Sequence, residues 1–430
     1  MDEPAVPAAG SRRVERLAIT AFPVTFVRTR LRCRNANAAG NNRNGDRMIR
    51  VLFILGTRPE AIKMAPIILA AREDRAIEPI VCLTGQHPQI ATEALSVFDI
   101  EPDCILECAP SGGDLCIAAA EMIRAAGELI AERQPSVVLV QGDTLSAYAG
   151  GMAAALRRVP VGHVEAGLRS GDMNDPFPEE LARKQLAHLS QMHFAPTMRA
   201  AQNLIAENID RETVHLVGNT VIDAMRLVQS RKGDTTNQAF TVLVTAHRRE
   251  NWGDRMDQIC AAVAELADRQ PSWRFVFSLH PNPALQQQVR RALSACDSVE
   301  FVESPAYDDW VRRLVGCDLI LTDSGGIQEE ACALGRPTLI LRDVTERPEA
   351  VHAGSAIIVG SDRERIVFEA IRIANDARVY ERMSRPRKVF GDGFAAECII
   401  NIIKTSVGTE VGQATGAGDA AMLDSIASSI

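Results

Sequence analysis

The chain has 430 residues, of which 46% are hydrophobic and 24% charged, with a formal net charge of −8. That length suits two domains, each able to bury a substantial core. The acidic balance excludes a protein that binds nucleic acid along its whole surface, and no apolar run approaches the ~20 residues of a membrane-spanning helix.

The first 47 residues are Arg-rich (Arg12, Arg13, Arg16, Arg28, Arg30, Arg32, Arg34) and end in an Asn/Gly/Arg stretch. They lack the apolar core and small-residue cleavage site of a secretory signal. The expectation is a disordered extension, or a start assigned upstream of the natural one, with Met48 opening the folded chain. Ten cysteines without a CxxC pair read as reduced thiols in a cytoplasmic protein.

Val51 to Leu55 is a short apolar run ended by Gly56, with a helical stretch following from Pro59 to Arg72. Further strands are expected at Ile80–Leu83, Val137–Val140 and Val161–Val164, separated by Ala-rich helical stretches at 117–133 and 147–158. Continuous apolar strands alternating with helices predict a parallel sheet covered on both faces. The pattern restarts with strands at 242–244, 275–277, 319–321 and 338–341, and with helices at 256–267 and 327–334. The polar stretch 230–238 reads as the linker, which predicts domains at 48–230 and 238–380, terminal helices at 381–404 and a flexible tail at 405–430. The fold class is α/β, with two Rossmann-like doubly wound domains facing a central cleft.

The chemistry-bearing residues cluster at strand ends. Ser324, Gly325 and Gly326 follow one strand and open a helix, whose unpaired N–H groups and dipole favour an anion. Glu330 lies one turn further on, where it can accept from a ribose diol. Arg58 and Lys63 offer a second anion contact in the other domain; their spacing is not that of a phosphate-binding Walker loop. Asp143, His163 and Glu165 end two strands, and Asp172, Asp175, Glu179 and Glu180 follow. Clustered carboxylates suit general acid/base work, because they push one another's pKa values apart. No Asp-x-Asp or His-x-His spacing supports a metal site, so none is expected. His247, Arg248 and Arg249 are three consecutive basic residues suited to a diphosphate leaving group. His280 ends an equivalent strand, and Arg347 adds a cation after the last strong one.

Ten strings occur in order: GTRPEAIKMAP (56–66), TGQH (84–87), QGDT (141–144), HVEAGLRSGD (163–172), PEE (178–180), GNTVID (218–223), TAHRREN (245–251), HPNP (280–283), LTDSGGIQEEA (321–331) and ERPEA (346–350). Together they resemble the non-hydrolysing UDP-N-acetylglucosamine 2-epimerases from about Met48 to Asp392. The resemblance implies a GT-B fold, no organic cofactor, a homodimer, and interconversion of UDP-N-acetylglucosamine and UDP-N-acetylmannosamine by UDP elimination through 2-acetamidoglucal. It makes Asp143, Glu165 and Glu179 the acid/base candidates and His247 a diphosphate contact or catalytic helper. It puts Arg58, Lys63, Trp310, Ser324, Gly325, Gly326, Glu330 and Arg347 at substrate-contacting positions. Trp310 stands where Phe is common, and Pro305 where an aliphatic residue is common. Gln86, His87, Gln89, Arg248 and His280 match positions of an activating second nucleotide-sugar site in some members. No Arg falls at 111–115, where those members supply one. A hydrolysing epimerase, a GT-B glycosyltransferase and a catalytically silent sensor are the competing readings.

Overall fold

The computed structural model describes residues 32–33, 48–106, 108, 113–230, 239–303 and 305–414, with side chains to residue 407. The 1–47 extension thus lies outside the described residues except for two residues, as do the 231–238 linker and the tail beyond 414.

Two sheets carry the fold. The first holds β1 (Arg32–Cys33), β2 (Ile49–Leu55), β3 (Ile77–Leu83), β4 (Cys104–Ile105), β5 (Val137–Gln141), β6 (Val161–Val164), β7 (Met192–Ala195) and β8 (Val214–Leu216). Its order is β1-β4-β3-β2-β5-β6-β7-β8, and every pair is parallel except β1 with β4. The second holds β9 (Thr241–Thr245), β10 (Arg274–Leu279), β11 (Val299–Glu303), β12 (Leu319–Thr322), β13 (Thr338–Ile340) and β14 (Ala356–Ile358). Its order is β11-β10-β9-β12-β13-β14, all parallel.

Both sheets are doubly wound, and both reverse direction at one point. In the first the order turns outward from β2 and β5, in the second from β9 and β12. Ligands of such sheets bind beyond the carboxyl ends of the strands at this switch point. The central strands are continuous apolar runs because helices cover both faces: β5 and β9 are buried at every residue. The expected α/β class and GT-B arrangement are therefore what the chain adopts.

Six strands escape the sequence reading: β1, which falls in the extension expected to be disordered, and β4, β7, β8, β11 and β14. They are short or carry polar residues inside. His193 sits within β7 and is tolerated there because its Nε2 donates to the Ala187 carbonyl at 2.7 Å. Helix limits also shift. The stretch expected to be helical from Ile327 begins two residues earlier, in Gly325–Leu334, with Ser324 as its N-cap.

The last long helix, Ala395–Ala414, belongs to the first domain's packing. Ile399 and Ile403 are fully buried in a core shared with Phe53 and Ile67. Lys404 Nζ pairs with Asp74 Oδ2 at 2.7 Å, and Asp223 Oδ1 accepts from the Ala396 N–H at 2.8 Å. The chain thus crosses between the domains twice. Among the described residues that helix runs past Thr405, where the flexible tail was expected to begin.

Candidate active site

Four strand ends meet at the two switch points: Gly56–Arg58 after β2, Gly142–Thr144 after β5, Ala246–Arg248 after β9 and Asp323–Gly325 after β12. Between them lies a cavity of about 420 Å3, within the usual range for a small-molecule site. Arg58 and Lys63 line it from the first domain; His247, Trp310, Ser324, Gly326 and Glu330 line it from the second.

Gly56 is required by crowding. A Cβ there would lie 1.8 Å from Ser146 Oγ. The helix Arg58–Glu73 then starts with Pro in its first turn, where the missing N–H costs nothing. It projects Arg58 and Lys63 toward the cleft. Arg58 Nη2 reaches across to the Pro305 carbonyl at 2.5 Å. Lys63 Nζ donates to both oxygens of Glu165, at 2.7 and 2.6 Å. The lysine expected to meet a phosphate as a lone point charge is therefore already paired with a carboxylate.

Glu165 follows β6 in a left-handed conformation, φ 64°, which is uncommon for a residue with a Cβ. It is 7% exposed. Gln141 Nε2 donates to its Oε2, Asn219 Nδ2 donates to its Oε1 at 3.1 Å, and Arg347 Nη2 lies 3.7 Å away. Burial alone pushes this carboxyl up. The Lys63 and Arg347 cations and the donated hydrogen bonds outweigh burial and hold it below the usual range. Glu165 is thus an oriented, ionised carboxylate.

Asp143 does not cap the helix Leu145–Leu156; Thr144 does, its hydroxyl accepting from Ala147 N–H at 2.9 Å. Asp143 instead pairs with Arg183 Nη2 at 2.6 Å, and Arg183 Nη1 meets Glu180 Oε2 at 2.9 Å. Glu179, beside it in the helix Glu179–Leu189, has a buried Oε2 with no hydrogen-bond partner among the described residues. Asp143, Glu165 and Glu179 stand outside the lining of the described cavity. Of the three, only Glu165 is bonded to a cavity-lining side chain, Lys63. His163 is buried behind Glu165: its Nε2 donates to the Gly142 carbonyl at 2.7 Å, and burial pushes its pKa down to about 4, so it is neutral.

On the second domain, Asp323 organises the loop after β9. Its carboxylate accepts from the backbone N–H of His247 (3.0 and 2.9 Å) and of Arg248 (2.9 Å), and from Asn251 Nδ2 (2.9 Å). His247 Nε2 donates to the Ser278 carbonyl at 2.9 Å, which fixes the ring's orientation. The three consecutive basic side chains part company. His247 faces the cavity, Arg248 is 3.7 Å from Glu346, and Arg249 is exposed. His280 packs edge-on against His247, ring centroids 5.6 Å apart.

Gly325 sits against the Arg347 guanidinium, where a Cβ would come within 3.0 Å of Cζ. Arg347 Nε donates to Glu329 Oε1 at 2.8 Å, and its Nη1 lies 3.2 Å from Glu346. It is an internal counter-ion, outside the lining of the cavity. Glu330 accepts from Tyr307 OH at 2.9 Å, and burial pushes its pKa up to about 7. Trp310 lines the cavity near it. Of the five second-site positions, Gln86 accepts from Ser146 Oγ at 2.7 Å, while His87 and Gln89 are exposed. Among the described residues no metal-ligand cluster forms.

The sequence reading missed Glu60, Gln141, Arg183, Asn219, Tyr307, Asp323 and Glu329 as site residues. Several stand inside the quoted strings, but only their long-range partners reveal their work. Glu60 is fully buried and accepts from Gly56 N–H at 3.1 Å and from Thr144 Oγ1 at 2.7 Å, tying together the loops that carry Arg58 and Asp143.

Residues 69–404 match the family model described as UDP-N-acetylglucosamine 2-epimerase. A UDP-N-acetylglucosamine 2-epimerase of Yersinia pestis is 40% identical over 371 residues, 83% of this chain and 98% of that protein. The crystal structure of UDP-GlcNAc 2-epimerase from Neisseria meningitidis bound to UDP-GlcNAc is 37% identical, with a TM-score of 0.79 over 83% of this chain and 100% of that one. The Methanocaldococcus jannaschii UDP-GlcNAc 2-epimerase in complex with UDP-GlcNAc and UDP is 31% identical, with a TM-score of 0.72 over 83% and 100%. With both switch points carrying the residues described above, this chain belongs to the UDP-N-acetylglucosamine 2-epimerase family.

Proposed function

We propose that the chain is an isomerase that interconverts UDP-N-acetylglucosamine and UDP-N-acetylmannosamine by eliminating UDP and adding it back. The observation that carries this reading is Glu165, ionised and clamped by Lys63 beside the interdomain cavity. A buried carboxylate held in one orientation suits abstraction of a C2 proton. As the proton moves to the base, a C1–C2 double bond forms, the anomeric C–O bond breaks, and the electron pair leaves with the diphosphate. That gives 2-acetamidoglucal and UDP. Re-addition reverses the steps, with the proton delivered to C2 on the opposite face.

Two faces require two proton-transfer groups. Asp143 and Glu179 are the candidates for the second, Glu179 with its unpartnered buried oxygen. The diphosphate is assigned to the N-terminus of the helix Gly325–Leu334, where backbone N–H groups of Ser324, Gly325 and Gly326 favour its charge. Arg58 and His247 flank it. Glu330 faces the ribose, and Trp310 with Pro305 faces the base. No organic cofactor or metal is needed for this chemistry. The chain is assigned to the cytoplasm as a homodimer in which residues 48–230 and 238–380 form the two domains, its product serving surface polysaccharide precursors. Among the described residues no helix is long and apolar enough to cross a membrane.

Proton NMR of the purified protein with UDP-N-acetylglucosamine in deuterated water, without added metal, tests the reading. UDP-N-acetylmannosamine carrying deuterium at C2 is the expected product. Accumulation of UDP and free N-acetylmannosamine would show a hydrolase instead, and a bound but unchanged sugar would refute epimerisation.

A further inference from the structure

We propose that Asn219 is a positioning residue that couples the nucleotide-holding helix Gly325–Leu334 to the carboxylate of Glu165. The inference rests on the reading of Glu165 as the proton-transfer group.

Asn219 is 2% exposed, and its polar atoms are all engaged. Its backbone N–H donates to the Phe390 carbonyl at 2.7 Å. Its Oδ1 accepts from Val221 N–H at 3.0 Å, one of the unpaired donors that open the helix Thr220–Ser230. Its Nδ2 donates to Glu165 Oε1 at 3.1 Å and to Glu329 Oε2 at 2.7 Å. The amide orientation is unambiguous, because a flipped side chain would aim its oxygen at two carboxylates and its NH2 at a donor. One side chain therefore spans the domains: Glu165 follows β6 of the first, and Glu329 lies on a helix of the second.

The placement gives this contact leverage. Asn219 opens Thr220–Ser230, the last helix before the chain leaves the first domain, and Phe390 lies on the segment by which it returns. The two passages touch: a Cβ on Gly218 would lie 2.8 Å from Gly391 Cα. Asn219 is thus held to the crossing point while its amide reaches into the site. Glu329 is next to Glu330, which lines the cavity, and four residues beyond Gly325 at the helix start. A shift of this helix on nucleotide binding moves Glu329 directly. The charged groups that face Glu165 are Lys63, Arg347 and Glu329, with His163 on its own strand. Lys63 and Arg347 favour the charged form of both carboxyls, burial and Glu165 push the Glu329 pKa up, and Asn219 supplies the neutral donor between them.

The alternative is a buried asparagine kept only as a helix cap. Asn219→Ser separates the two roles, because serine caps a helix well but cannot donate to both carboxylates. In the full-length chain, kcat for C2 epimerisation is expected to fall about ten- to a hundredfold, the worth of a hydrogen bond to a charged group. UDP affinity by calorimetry should stay within about threefold. The acid limb of the kcat profile should move to higher pH, since Glu165 loses a donor that favours its charged form. Asn219→Asp keeps the cap but adds a third carboxylate, and should lose more activity than the serine variant. Wild-type kcat with an unmoved acid limb in Asn219→Ser would overturn the proposal. So would a parallel collapse of melting temperature and UDP affinity, which marks a structural role. If the wild-type chain itself incorporates no deuterium at C2, it is the functional reading that has failed.

Discussion

Gly325 and Gly326 are adjacent, and their substitution by alanine should have opposite consequences. A Cβ on Gly326 meets no atom within 4 Å, and its backbone needs no left-handed conformation. Alanine therefore fits the protein without strain and gains helix propensity, up to about 1 kcal/mol over glycine. Yet Gly326 lines the cavity at the first turn of its helix, where a phosphate must approach backbone N–H groups. A methyl group in that path denies one charge-assisted hydrogen bond, roughly 1.5–3 kcal/mol, or about ten- to a hundredfold in affinity. Gly326→Ala should melt no lower than wild type and bind UDP about tenfold or more weakly, by thermal unfolding and titration calorimetry. Gly325→Ala should melt lower, because its Cβ would press to within 3.0 Å of the Arg347 guanidinium, itself paired with Glu329. Wild-type UDP affinity in Gly326→Ala would refute the placing of the diphosphate at this helix start.

Lys63→Met leaves Glu165 buried without its nearest cation and should cost roughly 3–5 kcal/mol of stability in urea unfolding. Adding Glu165→Gln, which removes the charge but keeps a carbonyl acceptor for the Gln141 and Asn219 donors, should restore part of that stability but none of the epimerisation, which separates the pair's charge balance from its chemistry. Burial raises the Glu60 pKa from about 4.5 to about 7 in the folded chain. Its contribution to stability is therefore fully present below pH 4.5 and lost as pH rises through about 7, on the order of 3 kcal/mol. Glu60→Gln reproduces the protonated hydrogen-bond pattern and should be more stable than wild type at pH 8 but not at pH 5; equal shifts at both would refute this. His163 runs the other way, its pKa pushed from about 6.5 down to about 4 by burial. Its contribution is present above pH 6.5 and lost as pH falls through about 4. His163→Gln keeps a donor for the Gly142 carbonyl and should flatten the stability profile over that interval, read by urea midpoints at stepped pH.

The continuous apolar runs of β2, β5 and β9, with Gly, Asp or His after them, were enough to read two parallel sheets. Covalent order alone places a helix after each such run, so the loops rich in charged residues had to lie at the carboxyl ends of strands. The Gly-Gly pair after β12 was likewise legible, because a strand, two glycines and a helical stretch leave little else to build. Short strands such as β7 and β8 were not legible: with histidines inside and three or four residues each, their strand state depends on a neighbour already in place.

What the sequence could not decide was which charge meets which. Lys63 and Glu165 are 102 residues apart, and Asn219 and Glu329 110. Type and local position say only that each could bond. Strand order and the approach of the domains select the partner, and burial then converts that choice into energy, since an ion in a low-dielectric interior must find a counter-ion or donor. So the sequence determined two doubly wound domains and the stations of the site along the chain. The tertiary structure decided that Lys63 serves Glu165, that Arg347 is an internal counter-ion, and that the final helix returns to the first domain, because those outcomes depend on contacts between segments that the chain's local order leaves undetermined.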